Sequence, residues 1–239
     1  FIFFQISSHI SIVFLFARDI AFVIDDKIVV SGIIDERKKE IDGIEKVFSK
    51  ISSDKIITLS NDARIEGGDV ILDGENIYIG YSKEDDFNKY KVARTNEKAI
   101  NEIKILFPHK NIFSFELNKS DLSARDNALH LDCCFQPIGK NKAIIYEGGF
   151  KNYDDVLLIT EKFGDDNLIR ISREEMYNMN SNIFSISENV IVSENGFKRL
   201  NRLLSEQGFI VEEIKFSEIA KMEGLLRCTT LPLQRRWIR

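Results

Sequence analysis

The feature that most constrains the fold is a pattern that occurs four times along the chain. Each copy begins with two short runs rich in Ile, Val, Phe and Tyr. Asp, Gly, Asn or Ser separates the two runs, which is the pattern of a β-hairpin. The four hairpins are predicted at 20–32, 69–81, 134–146 and 182–193. This pattern favours a series of small units over one continuous sheet.

A helix and a further strand follow each predicted hairpin. The helices are predicted at 36–51, 95–107, 153–163 and 194–208, and the further strands at 55–59, 111–117, 167–171 and 209–216. In the last helix Phe197, Leu200 and Leu204 recur at three- and four-residue spacing, so one face is apolar. The chain therefore repeats β-β-α-β, and repeats of this size are typical of cyclic arrays such as propellers.

The two ends of the chain depart from this repeat. A fifth unit begins at 224–233, and its missing strands would have to come from the amino end. We predict a buried strand at 11–16 and an α/β propeller of four complete units and one partial unit, forming a single domain over 1–239. An incomplete unit exposes a strand edge, so we also expect the chain to self-associate through this edge.

The composition limits the classes of partner and the compartment. A net charge of −5 gives no electrostatic basis for binding nucleic acid or an anionic membrane. Residues 1–16 are apolar but interrupted by polar residues, and they are shorter than the ~20 apolar residues of a spanning helix. Three cysteines, two of them adjacent, cannot form a disulfide framework, so we expect a reducing compartment, the cytoplasm.

One polar residue lies in an apolar context at or near the start of each unit. In chain order these are Asp19, Glu66, His130, Asn182 and Cys228. Each has an ordinary structural explanation when taken alone, such as a turn or a histidine satisfied in a core. Equivalent positions of a cyclic array converge on its axis, so we expect these five side chains to meet at one end.

The run 128–137 holds a histidine, an aspartate and two adjacent cysteines. As a strand, it would direct His130, Asp132 and Cys134 to one face and Cys133 to the other. Metal binding by His130 and Asp132 is an alternative. The chain has only three histidines and no second ligand pair at zinc-like spacing, so we expect no metal here.

The three cysteines are not equivalent. Cys133 and Cys134 lie in an apolar run, where structural thiols are common and inert. Cys228 instead follows Arg227, and an adjacent cation lowers the pKa of a thiol. We therefore interpret Cys133 and Cys134 as packing residues and Cys228 as the nucleophile.

Four motifs, in the order "FARD", "IEGGDV", "NALHLD" and "LLRCTTLPL", resemble the guanidino-group-modifying enzymes. These enzymes comprise arginine deiminases, dimethylarginine dimethylaminohydrolases and amidinotransferases. The resemblance runs from about residue 16 to 233. It implies a five-bladed β/α propeller of the pentein type built of ββαβ repeats, with one blade incomplete here.

The resemblance also implies roles for individual residues. It makes Cys228 the nucleophile and His130 the general acid and base, with Asp19, Glu66 and Asp132 holding the substrate guanidinium; Glu66 is counted with the catalytic groups. Asn127 and Asn182 fall on matching positions near the pocket. Arg94 aligns with an arginine that binds the substrate α-carboxylate, and Arg37 is a candidate for a second such group.

The implied function is hydrolysis of the guanidino C–N bond of arginine or a methylated arginine, which gives citrulline through a covalent cysteine intermediate. The partner is then a small guanidino compound, and the chemistry that the resemblance implies needs neither a metal nor an organic cofactor. An amidinotransferase, in which an amine replaces water, and an inactive, truncated binding protein are alternatives. A membrane-anchored protein is a fourth hypothesis, based on residues 1–16 alone.

Overall fold

The computed structural model describes residues 16–234, and within them the predicted unit occurs four times. Each unit is a three-stranded sheet in which an antiparallel hairpin is followed by a helix and a strand parallel to the second hairpin strand. The first unit consists of α1 (Ala17–Ile20), β1 (Ala21–Ile24), β2 (Lys27–Val30), α2 (Lys39–Phe48) and β3 (Ile56–Thr58). The prediction of four ββαβ repeats is confirmed.

The other three units follow the same order with small additions. The second unit consists of β4 (Val70–Asp73), β5 (Asn76–Tyr81), α3 (Glu84–Lys89), α4 (Glu97–Leu106) and β6 (Asn111–Glu116). The third consists of β7 (Phe135–Ile138), β8 (Lys142–Ile145), α5 (Tyr153–Phe163), β9 (Leu168–Arg170) and α6 (Arg173–Tyr177). The fourth consists of β10 (Phe184–Ser185), β11 (Val190–Glu194), α7 (Lys198–Glu206), β12 (Ile210–Ile214) and α8 (Ser217–Ala220).

The tight hairpin turns explain the Asp, Gly and Asn residues between the strands. Asp25 (φ 54°), Gly74 (φ 60°) and Asn141 (φ 57°) all have left-handed backbone conformations. The loops have two residues in the first two hairpins and three in the third, and short loops of this kind use a left-handed conformation that these residue types adopt most easily. Fully buried side chains of the strands, such as Tyr78, Phe115 and Phe135, pack against one another behind the turns.

The last described segment packs against the first. The backbone N–H of Arg18 donates to the carbonyl of Cys228 (3.0 Å), and its side chain donates to Arg227 O (3.3 Å) and Thr230 Oγ1 (3.2 Å). Residues 224–234 form turns with no strand in this part of the chain, whereas the sequence predicted the start of a fifth unit. The contact with Arg18 brings Cys228 beside the amino end of β1.

Two expectations concern the amino end. The strand predicted at 11–16 lies, apart from Phe16, outside the described residues. Between residues 16 and 234, none of the helices combines the length and the apolar character needed to cross a membrane.

Candidate active site

Five of the predicted residues line a cavity of about 260 Å³. Asp19, Arg37, Arg94, His130 and Cys228 all contribute to its lining. Asp19, Glu66, His130, Asn182 and Cys228 come from the loops or short turns that precede the first strand of a unit or lie in the last segment. The structure thus brings together the polar residues that recur with the repeat.

His130 is the centre of a buried charge cluster. Its Nε2 lies 2.9 Å from Oε2 of Glu66, and its Nδ1 lies 3.8 Å from Oδ1 of Asp19. Burial alone lowers the pKa of the imidazole, but the charge of Asp19 and the hydrogen bond to Glu66 outweigh it and raise the pKa of His130 to about 9. The ring is therefore an imidazolium at neutral pH.

The two carboxylates of this cluster respond differently. Burial raises the pKa of Asp19 to about 6, against the opposing charge of His130. Burial also acts to raise the pKa of Glu66, but the hydrogen bond and charge of His130 lower it overall. Glu66 is therefore the firmly ionised partner of the imidazolium.

Gly68 and two neighbouring side chains hold the loop that carries His130 in place. A Cβ on Gly68 would lie 2.5 Å from Nδ1 of His130, so only glycine allows the ring this close. Oδ1 of Asp69 accepts the backbone N–H of Leu131 (2.9 Å), and Nζ of Lys119 donates to Leu129 O (2.7 Å). Sequence reasoning missed Asp69 and Lys119. Asp69 stands in the "GGD" motif and could have been found there; Lys119 carries no such signal.

The side chain of Asn182 holds Cys228 from both sides. Its Nδ2 donates to Sγ of Cys228 (3.1 Å), while its Oδ1 accepts the backbone N–H groups of Arg227 (3.0 Å) and Cys228 (3.2 Å). A donor aimed at sulfur favours the thiolate over the thiol. Asn182 therefore both positions the sulfur and supports its ionised form.

The expected effect of Arg227 on the thiol is wrong. Its guanidinium points to Oδ2 of Asp132 (2.6 Å) and to Val70 O (2.7 Å). Burial, followed by the charges of Asp132 and Asp19, raises the pKa of Cys228 well above its ordinary value. Arg227 is paired with a carboxylate and does not offset these effects, so the free site holds a thiol at neutral pH.

Asp132, which the resemblance implies holds the substrate guanidinium, is bound to another residue of the chain. It is fully buried and ion-paired with Arg227, and it is not among the residues that line the 260 Å³ cavity. Its Oδ2 lies 3.9 Å from Sγ of Cys228. The charge of Asp132 therefore acts on the sulfur of Cys228, although the side chain does not line the cavity.

The expected orientation of the two adjacent cysteines is also wrong. Residues Leu131–Cys133 form a 3-10 turn, so the alternation of a strand does not apply. Cys133 lines the cavity together with Cys228, and Cys134 lies in the apolar core. Burial raises the thiol pKa of both Cys133 and Cys134, which keeps them in their unreactive form.

Arg37 does not have the free guanidinium expected of a carboxylate-binding group. Its Nη1 donates to Oδ2 of Asp19 (2.9 Å) and Oε2 of Glu66 (3.1 Å), and its Nε and Nη2 donate to Glu40, both at 2.8 Å. The chain's own guanidinium is therefore bound by two of the carboxylates that the sequence assigned to a guanidino substrate.

Arg94 still has donors to offer a ligand. Its Nη1 lies 3.6 Å from Oε1 of Glu66, and neither Nη1 nor Nε is hydrogen-bonded within residues 16–234, although both atoms are buried. Arg94 lines both the small cavity and an adjoining cavity of about 1180 Å³. Asn127 lines only the larger cavity, and its Oδ1 accepts the backbone N–H of Ser120 (3.4 Å).

The side chains whose spacing could hold a metal ion are not the pair, His130 and Asp132, that was considered from the sequence. Ligand atoms of Asp19, Glu66 and His130 lie within 4.8 Å of one another, whereas Asp132 is paired with Arg227. A guanidinium nitrogen of Arg37 already contacts two of these three residues.

The fold, the cysteine–histidine pair and the clustered carboxylates define a protein of the guanidino-group-modifying superfamily. The chain belongs to the family described as N,N dimethylarginine dimethylhydrolase, eukaryotic, whose model matches residues 13–235. Its relatives include dimethylarginine dimethylaminohydrolases and arginine deiminases, which are hydrolases of amidine C–N bonds. The family expected from the motifs is confirmed.

Two relatives illustrate the range of similarity in sequence. The uncharacterized protein YkgA of Bacillus subtilis is 31% identical over 221 residues, which are 92% of this chain and 70% of that protein. The arginine deiminase of Streptococcus sanguinis is 26% identical over 215 residues, which are 77% of this chain and 50% of the deiminase. The chain thus spans about half the length of the deiminases it matches.

Two solved structures have a similar fold. The product-bound N-terminal domain of ArgZ, an arginine dihydrolase from cyanobacteria, has a TM-score of 0.76 at 22% identity, over 92% of this chain and 75% of that one. A dimethylarginine dimethylaminohydrolase from Pseudomonas aeruginosa, bound to citrulline, has a TM-score of 0.71 at 21% identity, over 91% and 75%. Both share the α/β fold of small sheets and helices.

Proposed function

We propose that the protein hydrolyses the guanidino C–N bond of arginine or a methylated arginine and releases citrulline through a covalent intermediate on Cys228. The observation that carries this proposal is a pair of carboxylate oxygens in the cluster around His130 that form ion pairs but accept no hydrogen bond within residues 16–234. Oδ1 of Asp19 and Oε1 of Glu66 are buried and accept no hydrogen bond from the described residues. A guanidinium is a planar cation with five N–H donors, which suits such acceptors.

The binding of that cation also explains how the thiol becomes reactive. In the free site the carboxylates of Asp132 and Asp19 oppose ionisation of Cys228. A bound guanidinium adds a positive charge beside the sulfur and favours the thiolate, by about 1.4 kcal/mol for each unit of pKa. The Nδ2 donor of Asn182 stabilises the same ionised form. The nucleophile is thus generated when substrate is present.

The reaction then proceeds in two halves. The thiolate of Cys228 attacks the central guanidino carbon, and the C–N bond to the departing amine breaks as that nitrogen takes a proton from His130. The neutral imidazole next removes a proton from water, and the resulting hydroxide attacks the carbon bound to sulfur. The C–S bond breaks, the hydroxyl proton passes to solvent as the carbonyl of citrulline forms, and the imidazolium and thiolate are restored. Glu66 holds the imidazole for both proton transfers.

Further groups support an amino-acid substrate and the complete fold. The unused donors of Arg94 suit an α-carboxylate bound in bidentate fashion. The contact between Arg18 and Cys228 supports an arrangement in which the four units and the last segment form a five-bladed propeller. Because the chemistry needs a free thiol, we assign the enzyme to a reducing compartment, the cytoplasm.

A ureido-product assay on arginine, methylated arginines and agmatine tests the proposal. We expect citrulline from arginine or a methylated arginine, and no product with the Cys228→Ser variant. Adding an amine acceptor should leave product formation unchanged. Transfer of the amidino group to that acceptor would instead identify an amidinotransferase, and the absence of ureido product from every compound would refute the hydrolase.

A further inference from the structure

We infer that Asn180 is a specificity-determining residue whose side-chain carbonyl accepts a hydrogen bond from the α-ammonium group of the substrate. The inference rests on the proposed function and extends it to the amino-acid end of the substrate. It restricts the substrate class to guanidino compounds that retain a free α-amino group. Asn180 lies outside the four sequence motifs, so the motifs do not assign it to the site.

The first observation is an unmet acceptor in a buried side chain. Asn180 is only 4% exposed, and its Oδ1 is buried without a hydrogen-bond partner anywhere in residues 16–234. A buried amide oxygen without a donor costs about 1–3 kcal/mol, so folded proteins rarely retain one. An unmet acceptor in a residue that lines a cavity is therefore a place for a donor carried by a ligand.

The second observation is where this acceptor lies. Asn180 lines the 1180 Å³ cavity that adjoins the nucleophile's cavity, and its neighbour Met179 lines both of them. Two residues further on, Asn182 donates to the sulfur of Cys228. The backbone N–H of Asn182 in turn donates to Met179 O (2.9 Å), which makes 179–182 a tight turn. One short turn thus carries both the support of the nucleophile and the unmet acceptor.

The third observation is a set of unbonded donors on another residue that lines the same cavity. Arg94 also lines both cavities and has two buried donor atoms that are not hydrogen-bonded in the described chain. An α-amino acid offers acceptors in its carboxylate and donors in its ammonium group. Arg94 and Asn180 supply the matching donors and acceptor, while the guanidino end lies at Cys228. A ligand without the ammonium would leave the acceptor of Asn180 unmet.

Glu223 is the competing acceptor. Glu223 lines both cavities, but the residue is exposed, so its carboxylate can accept hydrogen bonds from water. An exposed acceptor discriminates little between ligands, since its hydrogen bonds to water are exchanged for hydrogen bonds to ligand. Glu223→Gln is therefore the matched control for Asn180.

The test compares L-arginine with 5-guanidinopentanoate, which lacks only the α-amino group. Asn180→Leu keeps the size of the side chain and removes the acceptor, whereas Asn180→Asp keeps an acceptor. We expect Asn180→Leu to lower kcat/KM for L-arginine at least about tenfold, mainly through KM, and to change that for 5-guanidinopentanoate less than about twofold. Asn180→Asp and Glu223→Gln should retain the preference for L-arginine.

Equal losses on both substrates would show a structural role and overturn the inference, as would an unchanged preference in Asn180→Leu. Transfer of the effect to Glu223→Gln would also overturn it. If the parent turns over no guanidino compound, the hydrolase proposal fails, and the same two ligands are compared by their protection of Cys228 against alkylation. Better protection by L-arginine that Asn180→Leu abolishes supports the inference; equal protection, or none, refutes it.

Discussion

Nη1 of Arg37 lies 2.9 Å from Oδ2 of Asp19, so a guanidinium of the chain itself occupies part of the carboxylate cluster. The same nitrogen donates to Glu66, and the rest of the group is held by Glu40 in a bidentate pair. A substrate guanidinium that binds the remaining oxygens of Asp19 and Glu66 must approach this positive charge. Arg37 thus weakens the attraction of the site for cations.

Replacing Arg37 with Gln should strengthen the binding of a simple guanidinium. Methylguanidine has no carboxylate, so it reports only on the cation site. We expect its protection of Cys228 against alkylation to require at least about threefold less ligand in Arg37→Gln, because a like charge has been removed. The control is Arg202→Gln, which loses an exposed pair with Glu206. Weaker protection in Arg37→Gln would show that Arg37 is needed to shape the site.

The amide of Asn182 should control the ionisation of the nucleophile. Asn182→Asp keeps an acceptor for the backbone N–H groups of Arg227 and Cys228 and replaces the Nδ2 donor with an oxygen. We expect kcat to fall at least about tenfold, equivalent to ~1.4 kcal/mol, and the pH profile of alkylation at Cys228 to move to higher pH. Asn189→Asp, in an exposed turn, should leave both unchanged. A profile that stays in place in Asn182→Asp would contradict this role.

Asp132→Asn should lower both activity and stability. The variant breaks a buried ion pair with Arg227 and leaves that guanidinium uncompensated beside Cys228. Such a loss commonly costs ~2–5 kcal/mol, or roughly thirty- to several thousand-fold in kcat/KM when the site depends on it. A thermal unfolding scan and an activity assay on the same sample measure the two effects. Lys104→Gln on the exposed side of α4 should alter neither activity nor stability. Equal activity of Asp132→Asn and the parent would refute a role for Asp132 in holding the substrate guanidinium.

The stability of the protein should fall as pH rises toward 9. The folded-state pKa of His130 is about 9, above its ordinary value of 6.5, so the protonated ring stabilises the fold. This contribution is complete below about pH 6.5, declines as pH rises through about 9, and is lost above it; its full size is on the order of 3 kcal/mol. Melting temperatures between pH 6 and 10 should show the decline in the parent and not in His130→Gln. If the melting temperatures of the parent and His130→Gln changed in parallel with pH, the stabilising role of the protonated His130 would be contradicted.

Gly68→Ala should displace the catalytic ring without changing any charge. The added Cβ would lie 2.5 Å from Nδ1 of His130, so the ring or the loop has to shift. A misplacement of about 1 Å in a catalytic group can cost roughly a hundredfold in rate. Gly196→Ala is the control, because its Cβ would meet no atom closer than 3.7 Å. An unchanged kcat in Gly68→Ala would mean that the ring position is not critical.

Most of the architecture follows from local pattern in the sequence. The hairpins could be predicted because strand residues and turn residues alternate over short distances, as at Asp25 between β1 and β2. The apolar spacing of Leu200 and Leu204 likewise identified α7, where both residues are fully buried. The convergence of Asp19, Glu66 and His130 followed from their equivalent places in the repeat. These inferences need only short-range pattern and the symmetry of the units.

The errors occurred where the partner of a side chain is decided by the fold. Arg227 is next to Cys228 in sequence, but its guanidinium reaches Asp132, 95 positions away. Cys133 faces the cavity because the backbone makes a single 3-10 turn there, which no apolar pattern distinguishes from a strand. The pairing of Arg37 with Asp19 and Glu66 depends on how the segment before α2 crosses the end of the first unit.

The contact between Arg18 and the last segment links chemical competence to the completion of folding. Arg18 Nε and Arg227 O, which lie 209 positions apart in the chain, meet at 3.3 Å beside the nucleophile. Contacts between such distant positions form late, because a long stretch of chain must be ordered first. Until then the sulfur of Cys228 is an ordinary thiol without its cavity. In a refolding experiment, the time at which a guanidino ligand begins to protect the sulfur of Cys228 against alkylation should therefore report when this last contact forms.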